Sequence, residues 1–207
     1  AKVIVVRPRG TPNPSRTALS GSTLRASFSA DQPGTWMVQV VASVDGGPRP
    51  VAEALVSVDV TPPESPEARG APGEEAAAGI TASDQSLFAM VNRARAGERL
   101  RALTRHPALD AIAREHALAM QAAGRLRHDV GGGSAADRMR ASNLSFRGVG
   151  ENVARAASIQ RAHRALWASP SHRGNLLDGR FEAIGVGVAE EAGLMAALIR
   201  KLVKVAP

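Results

Sequence analysis

GENVA at residues 150–154 and WASPSHRGN at residues 167–175 are the stretches that decide how this chain folds. In the first, the carboxylate of Glu151 stands between a glycine and an asparagine, just ahead of a small apolar segment. In the second, His172 reads as a turn residue between two elements, beside a Ser-Pro pair. Upstream, RLRHD sets His128 just past a helix end, at the edge of a Gly-rich loop. Histidines on loops held by flanking structure are well placed to meet a ligand. The other three read differently. His106 precedes a helix-opening proline and is expected in a surface turn, whereas His116 and His163 fall on apolar helical stripes and read as hydrogen-bonded core histidines. Taken alone, Glu151 reads equally well as a cap or as the partner of an arginine.

Around these stretches the apolar pattern is helical. Ser83 or Asp84 caps a helix carrying Leu87, Met90, Val91 and Ala94. Pro107 opens a second as its first-turn proline, with Leu109, Ile112, His116, Met120 and Ala123 recurring until Gly124 stops it. Ala135–Ala141 reads as a short helix, and Ser158 caps another through Ile159, Ala162 and Leu166 up to Ser169-Pro170. Glu182–Ala189 alternates about Ile184, Val186 and Val188 as a strand. The closing GLMAALIRKLVKV has helical spacing at Leu194, Leu198 and Leu202, yet follows a turn as a hairpin strand would.

The first sixty residues have the period of strands instead. Lys2–Arg7, Thr23–Phe28, Gly34–Ser43 and Pro50–Val60 alternate or run apolar, with Trp36, Val38, Val40 and Ala42 on one face. Gly/Pro/Asp turns join them. Thr61–Gly79 holds four Pro, three Gly, four Glu and no large apolar side chain, the composition of a linker. The expected division is a β-rich segment over 1–60, a linker over 61–82 and an α+β domain over 83–207.

Composition narrows the functional classes. The chain has 207 residues, enough for one or two domains, and 44% hydrophobic residues, so wholesale disorder is excluded. No apolar run approaches the roughly 20 residues of a membrane-crossing helix. The absence of Cys removes disulfides, Cys-ligated zinc, iron–sulfur clusters and thiol nucleophiles together. Four Phe, two Trp and no Tyr leave little for base stacking. The net charge of +7 is lopsided: residues 83–207 carry nineteen Lys/Arg against eleven Asp/Glu, residues 1–82 seven against eight. The arginines are scattered rather than run together, which reads as a solvated cationic surface, and no nucleic-acid partner is expected.

The order of motifs is specific. Asn92–Arg95 reads N-x-x-R, Leu109–Ala117 reads L-x-x-x-A-x-x-H-A, and His128, GEN at 150–152, W-x-S-P-x-H-R-x-N at 167–175 and IGVGVA at 184–189 follow. Together they resemble the CAP superfamily (cysteine-rich secretory proteins, antigen-5 and pathogenesis-related proteins), in its bacterial SCP-like branch, over about 83–205. Residues 1–60 weakly resemble a bacterial immunoglobulin-like module, short enough to read as truncated at its N-terminus.

The resemblance implies an α-β-α sandwich, an antiparallel sheet between helices, with a central cleft. It makes 193–205 the last strand. The family's cleft tetrad of two His and two acidic residues maps onto His128, Glu151 and His172. The second acid has no counterpart in Trp167-Ala168-Ser169-Pro170. Two neutral imidazoles converging in a cleft make a partial site for Zn²⁺ or another divalent cation, with Glu151 as ligand, orienter or base. A hydrogen-bonded His–Glu–His network without metal is the equal alternative. Asn175 is expected to hold its loop.

The function implied is an exported module of the cell envelope or extracellular space, an export signal lying outside this sequence. It is expected to be monomeric and to bind a lipid, glycan or protein partner in the cleft. The alternative is a hydrolase using Ser169 or Ser171 with His172, although neither serine stands in a nucleophile-elbow context.

Overall fold

The computed structural model describes residues 1–8, 13–15, 17–44, 47–62, 70–191 and 194–203. The fold is mixed α+β. Its second part is built on a sheet of four strands: β7 (Thr104–Arg105), β8 (Gly148–Ala156), β9 (Ala183–Glu191) and β10 (Leu194–Val203), in the order β7-β9-β10-β8. All pairings are antiparallel except the two-residue β7–β9 contact. Helices α1 (Ser83–Gly97), α4 (Ile159–Ala168) and α5 (Pro170–Leu176) belong to one core, and α2 (Pro107–Ala122) and α3 (Ala135–Ala141) to the other.

The alternation of β9 explains both cores. Ile184, Val186 and Val188 pack with Leu87, Met90 and Leu166 of α1 and α4. The intervening Gly185 and Gly187 leave room for α2 on the opposite face. A Cβ on Gly185 would stand 2.3 Å from the Leu109 carbonyl carbon, and one on Gly187 2.2 Å from that of Ala113. The glycines of IGVGVA therefore set how closely helix and sheet approach. Gly187→Ala is expected to destabilise the fold by about 1–3 kcal/mol through overpacking of a backbone that cannot yield. A urea midpoint unchanged from wild type would show that α2 can shift outward.

Two expectations are corrected here, and one strand is added to those expected. Glu151 lies on β8, a strand that no apolar alternation announced because Gly148–Glu151 opens with two glycines and a carboxylate. His172 lies within helix α5, not in a turn: Pro170 stops α4 and also serves as a first-turn proline for the next helix. The linker reading fails for its second half. Ala71 and Ala77 are buried, and Glu74–Ala77 form a 3-10 turn in which Ala77 joins the core around α1. Gly73, at φ 93°, lies so close to α1 that a Cβ would meet the Met90 carbonyl oxygen at 2.3 Å. Small residues read as having nothing to bury are here small because the chain runs tight against a helix. Residues 63–69 lie outside the described residues.

The last strand is as expected. Leu194, Leu198 and Leu202 recur every fourth residue, a spacing that also returns to one face of a strand, and backbone pairing on both sides with β8 and β9 decides for strand. Residues 193, 204 and 205 lie outside the described residues.

The first part is a four-stranded sheet, β2-β1-β5-β6, with β1 (Lys2–Val6), β2 (Asn13–Pro14), β5 (Gly34–Val44) and β6 (Gly47–Val58). A hairpin of β3 (Thr17–Ser20) and β4 (Thr23–Ala26) accompanies it, and Leu24 packs on the cluster of Val3, Val5 and Trp36. The opposite face is buried too. Val6, Gln39 and Val41 are 4%, 0% and 3% exposed. Gln39 projects from β5 onto the start of α5: its Nε2 donates to Ser169 Oγ at 3.2 Å, and its Oε1 accepts from the Ser171 backbone N–H at 3.0 Å. A helix that lacks a side-chain cap of its own is thus capped from the N-terminal sheet.

Candidate functional site

Glu151 is the centre of the site. Its side chain is 4% exposed and both carboxylate oxygens are engaged. His128 Nδ1 lies 2.8 Å from Oε1, and Arg138 Nη2 donates to Oε2 at 2.7 Å. Paired with a guanidinium, Glu151 is the acceptor, so His128 donates through Nδ1 and its Nε2 carries the lone pair when neutral. His116 Nε2 is 3.8 Å from the same Oε1, with the ring fully buried on α2. The core reading of His116 holds, but its place beside Glu151 was not expected.

Local sequence explains the convergence. The loop after α2 passes through Gly131, Gly132 and Gly133, all at positive φ (64°, 102° and 79°), a run that side chains would strain. It ends at Ser134, which forms a capping box with Asp137 at the start of α3. That cap points Arg138 back across the loop, where Nη1 donates to the His128 carbonyl at 2.9 Å and to the Gly133 carbonyl. Arg138 therefore holds the loop that carries His128 as well as the carboxylate. Arg138 was missed by sequence reasoning, which saw its basic charge only as solvated surface.

His172 reaches the same cavity from α5. The two motifs are tied by amides: Asn152 Nδ2 donates to the His172 carbonyl at 2.9 Å, and Asn175 Nδ2 donates to Asn152 Oδ1 at 2.9 Å and to the Glu151 carbonyl at 3.3 Å. Asn175 plays the holding role expected of it, here between helix and strand. Gly150 is required beside them, since a Cβ would come within 2.8 Å of the Phe181 ring. Burial, reinforced by the charge of nearby His128, lowers the pKa of His172 to about 4, so its imidazole is neutral at physiological pH.

His128, Glu151, His172 and Asn175 line one cavity of about 570 Å³. Lys2, Ile4, Val41 and Pro50 line it as well, so the N-terminal sheet supplies a wall of the cleft. This wall was not legible beforehand: Lys2, Ile4 and Val41 follow the ordinary alternation of β1 and β5, and nothing in it says what their face meets.

Two imidazoles reach the cleft, His128 from the Gly-rich loop and His172 from α5. Catalytic zinc takes three protein ligands, and among the described residues no three His, Cys, Asp or Glu side chains converge as a metal-holding group. Glu151, the third candidate ligand, is already charge-paired with Arg138. Among the described residues the two serines beside His172 contact other groups. Ser169 Oγ accepts from Gln39 and lies 3.5 Å from Ser171 Oγ.

The N-x-x-R motif is structural. Asn92 bonds both the N–H and C=O of Leu103, and buried Arg95 donates to the carbonyls of Arg101, Leu176 and Asp178. His163 is a core histidine as expected, its Nε2 2.9 Å from the Pro72 carbonyl oxygen.

Among solved structures, an extracellular protein containing an SCP domain from Bacillus anthracis matches with a TM-score of 0.55 at 18% identity, over 92% of this chain and 67% of that one. A cysteine-rich secretory protein of Staphylococcus aureus matches at 0.51 and 15%, over 93% and 66%. Both matches are too long to stop at the second part and take in the N-terminal sheet. An outer surface protein of Borrelia burgdorferi matches at 0.56 and 20%, over 60% of this chain and 93% of its own. No curated protein sequence matches the chain. Among the described residues no helix is long and apolar enough to cross a membrane. The model of the cysteine-rich secretory protein family, CAP, matches residues 88–198, more than half of the sequence. On that match, and with the GEN strand and the SPSHRGN helix meeting at one cleft, the chain belongs to the CAP family.

Proposed function

We propose that this protein is a non-catalytic CAP module acting at the bacterial cell envelope or outside it, and that its cleft binds a polar ligand of the glycan class. One observation carries the reading: both carboxylates of the lining are engaged by cations, Glu151 by His128 and Arg138, and Asp178 by Arg180. The ligand would meet the His172 imidazole and the Ser171 hydroxyl, with Lys2 at the rim of the same lining and a wall softened by Ile4 and Val41. That mixture suits hydroxyl and acetamido groups better than an alkyl chain. The extracellular and surface settings of the structural neighbours support the envelope location.

Calorimetry separates the readings. With chitotetraose as probe, saturable binding is expected in wild type and at least a tenfold loss in His172→Ala and Ser171→Ala. Zinc chloride should give no saturable heat in any of the three. Zinc binding that vanishes in His172→Ala would establish a metal centre instead. Turnover of p-nitrophenyl acetate that depends on Ser171 would establish a hydrolase.

A further inference from the structure

A second pocket lies where the N-terminal sheet meets α4, α5 and the segment around Ala71, away from the Glu151 cleft. It measures about 270 Å³. Three arginines from three different elements line it: Arg7 just after β1, Arg164 on α4 and Arg173 on α5. Among the described residues no carboxylate lines it. The acids that steady these arginines stand outside the lining. Glu74 holds Arg164 through two bonds of 2.7 Å, Asp31 holds Arg7 at 2.9 Å, and Glu98 stands 3.7 Å from Arg173. Arg7 and Arg164 are thereby oriented by acids that do not themselves line the cavity.

The remaining wall is apolar. Met37 and Leu55 come from the sheet and Trp167 from α4, with the Arg173 guanidinium over the indole at 4.3 Å. Leu55 is 37% exposed, an aliphatic side chain left open beside a cationic lining. A guanidinium carries five N–H donors, so Arg7 and Arg164 keep donors beyond those given to Asp31 and Glu74. Planar forks of this kind match the oxygens of phosphate and carboxylate groups.

The geometry points to a site for a small amphiphilic anion: an oxyanion head on Arg7 and Arg164 and a short alkyl body on Met37, Leu55 and Trp167. Since both halves of the chain supply the lining, the ligand would bridge the N-terminal sheet and the CAP helices.

The test uses the full chain and decyl phosphate below its micellar concentration, with inorganic phosphate and decyl maltoside as the head-only and tail-only probes. Decyl phosphate is expected to bind at least tenfold more tightly than either. Arg7→Gln and Leu55→Asp, both on partly exposed side chains, should each weaken it at least tenfold with the far-UV spectrum unchanged. Raising salt should weaken it further. Chitotetraose binding should be unaffected by both variants, which separates this site from the cleft. Equal affinity for inorganic phosphate would reduce the site to a simple anion contact. Equal affinity for decyl maltoside, no binding of decyl phosphate, or indifference to both substitutions would overturn the proposal.

Discussion

Replacing Arg138 by methionine is expected to cost about 3–5 kcal/mol of stability at neutral pH, the range for removing one partner of a buried ion pair. The Glu151 carboxylate would then sit in a site that leaves its side chain only 4% exposed, with only the His128 and His116 rings for company. The same substitution cuts the bonds from Arg138 to the His128 and Gly133 carbonyls, so the Gly-rich loop loses its tie to α3. Arg138→Met combined with Glu151→Gln should recover more than half of the loss, because no charge is then stranded. Urea unfolding of the wild type, both single variants and the double variant gives the coupling energy directly. A cost below about 1 kcal/mol for Arg138→Met would mean that water reaches Glu151 and that the carboxylate is not committed to the network.

The second large effect is one of pH. The half-buried imidazole of His172 accepts a proton only near pH 4, whereas in the unfolded chain a histidine does so near its ordinary value of about 6.5. Between those values the unfolded chain binds more protons than the folded one, so stability falls as the pH is lowered from about 6.5 to about 4. Below about 4 this contribution levels off. The full difference corresponds to about 3 kcal/mol, an upper limit for a group lining an open cleft. Carboxylates titrate in the same range, so the readout is the difference between wild type and His172→Gln in unfolding free energy at pH 7 and at pH 4.5. The variant should lose the part of the slope that belongs to the imidazole. By NMR the His172 ring should titrate near 4 in wild type. It should titrate higher in His128→Gln, since the charge of His128 contributes to the depression. A midpoint near 6.5 would mean that the ring is solvated and the packing of α5 against the cleft looser than described.

Much of this molecule follows from sequence because much of it is local. Helices α1, α2 and α4 are set by apolar recurrence, by Pro107 and by the Ser158 cap, whose side chain accepts from the Arg161 N–H. Strand β9 is set by alternation, and the motif order carries the family. His128, Glu151 and His172 were named from two short motifs and one loop histidine, and they do line one cavity. What the sequence could not decide are the contacts between distant segments. His172 was read as a turn residue because a Ser-Pro pair ends one helix and starts another equally well, and only the packing of α5 against β8 and the N-terminal sheet selects the second. Residues 70–77 have linker composition, yet their small side chains are what lets them lie against α1. Arg138 looks like any surface arginine until three glycines turn the chain back and put it on Glu151. The parity of β5 places Trp36, Val38 and Val40 on one face by local rule. That the other face, through Gln39, caps α5 and walls the cleft is decided only in three dimensions, because a period of two names the faces of a strand and never their partners.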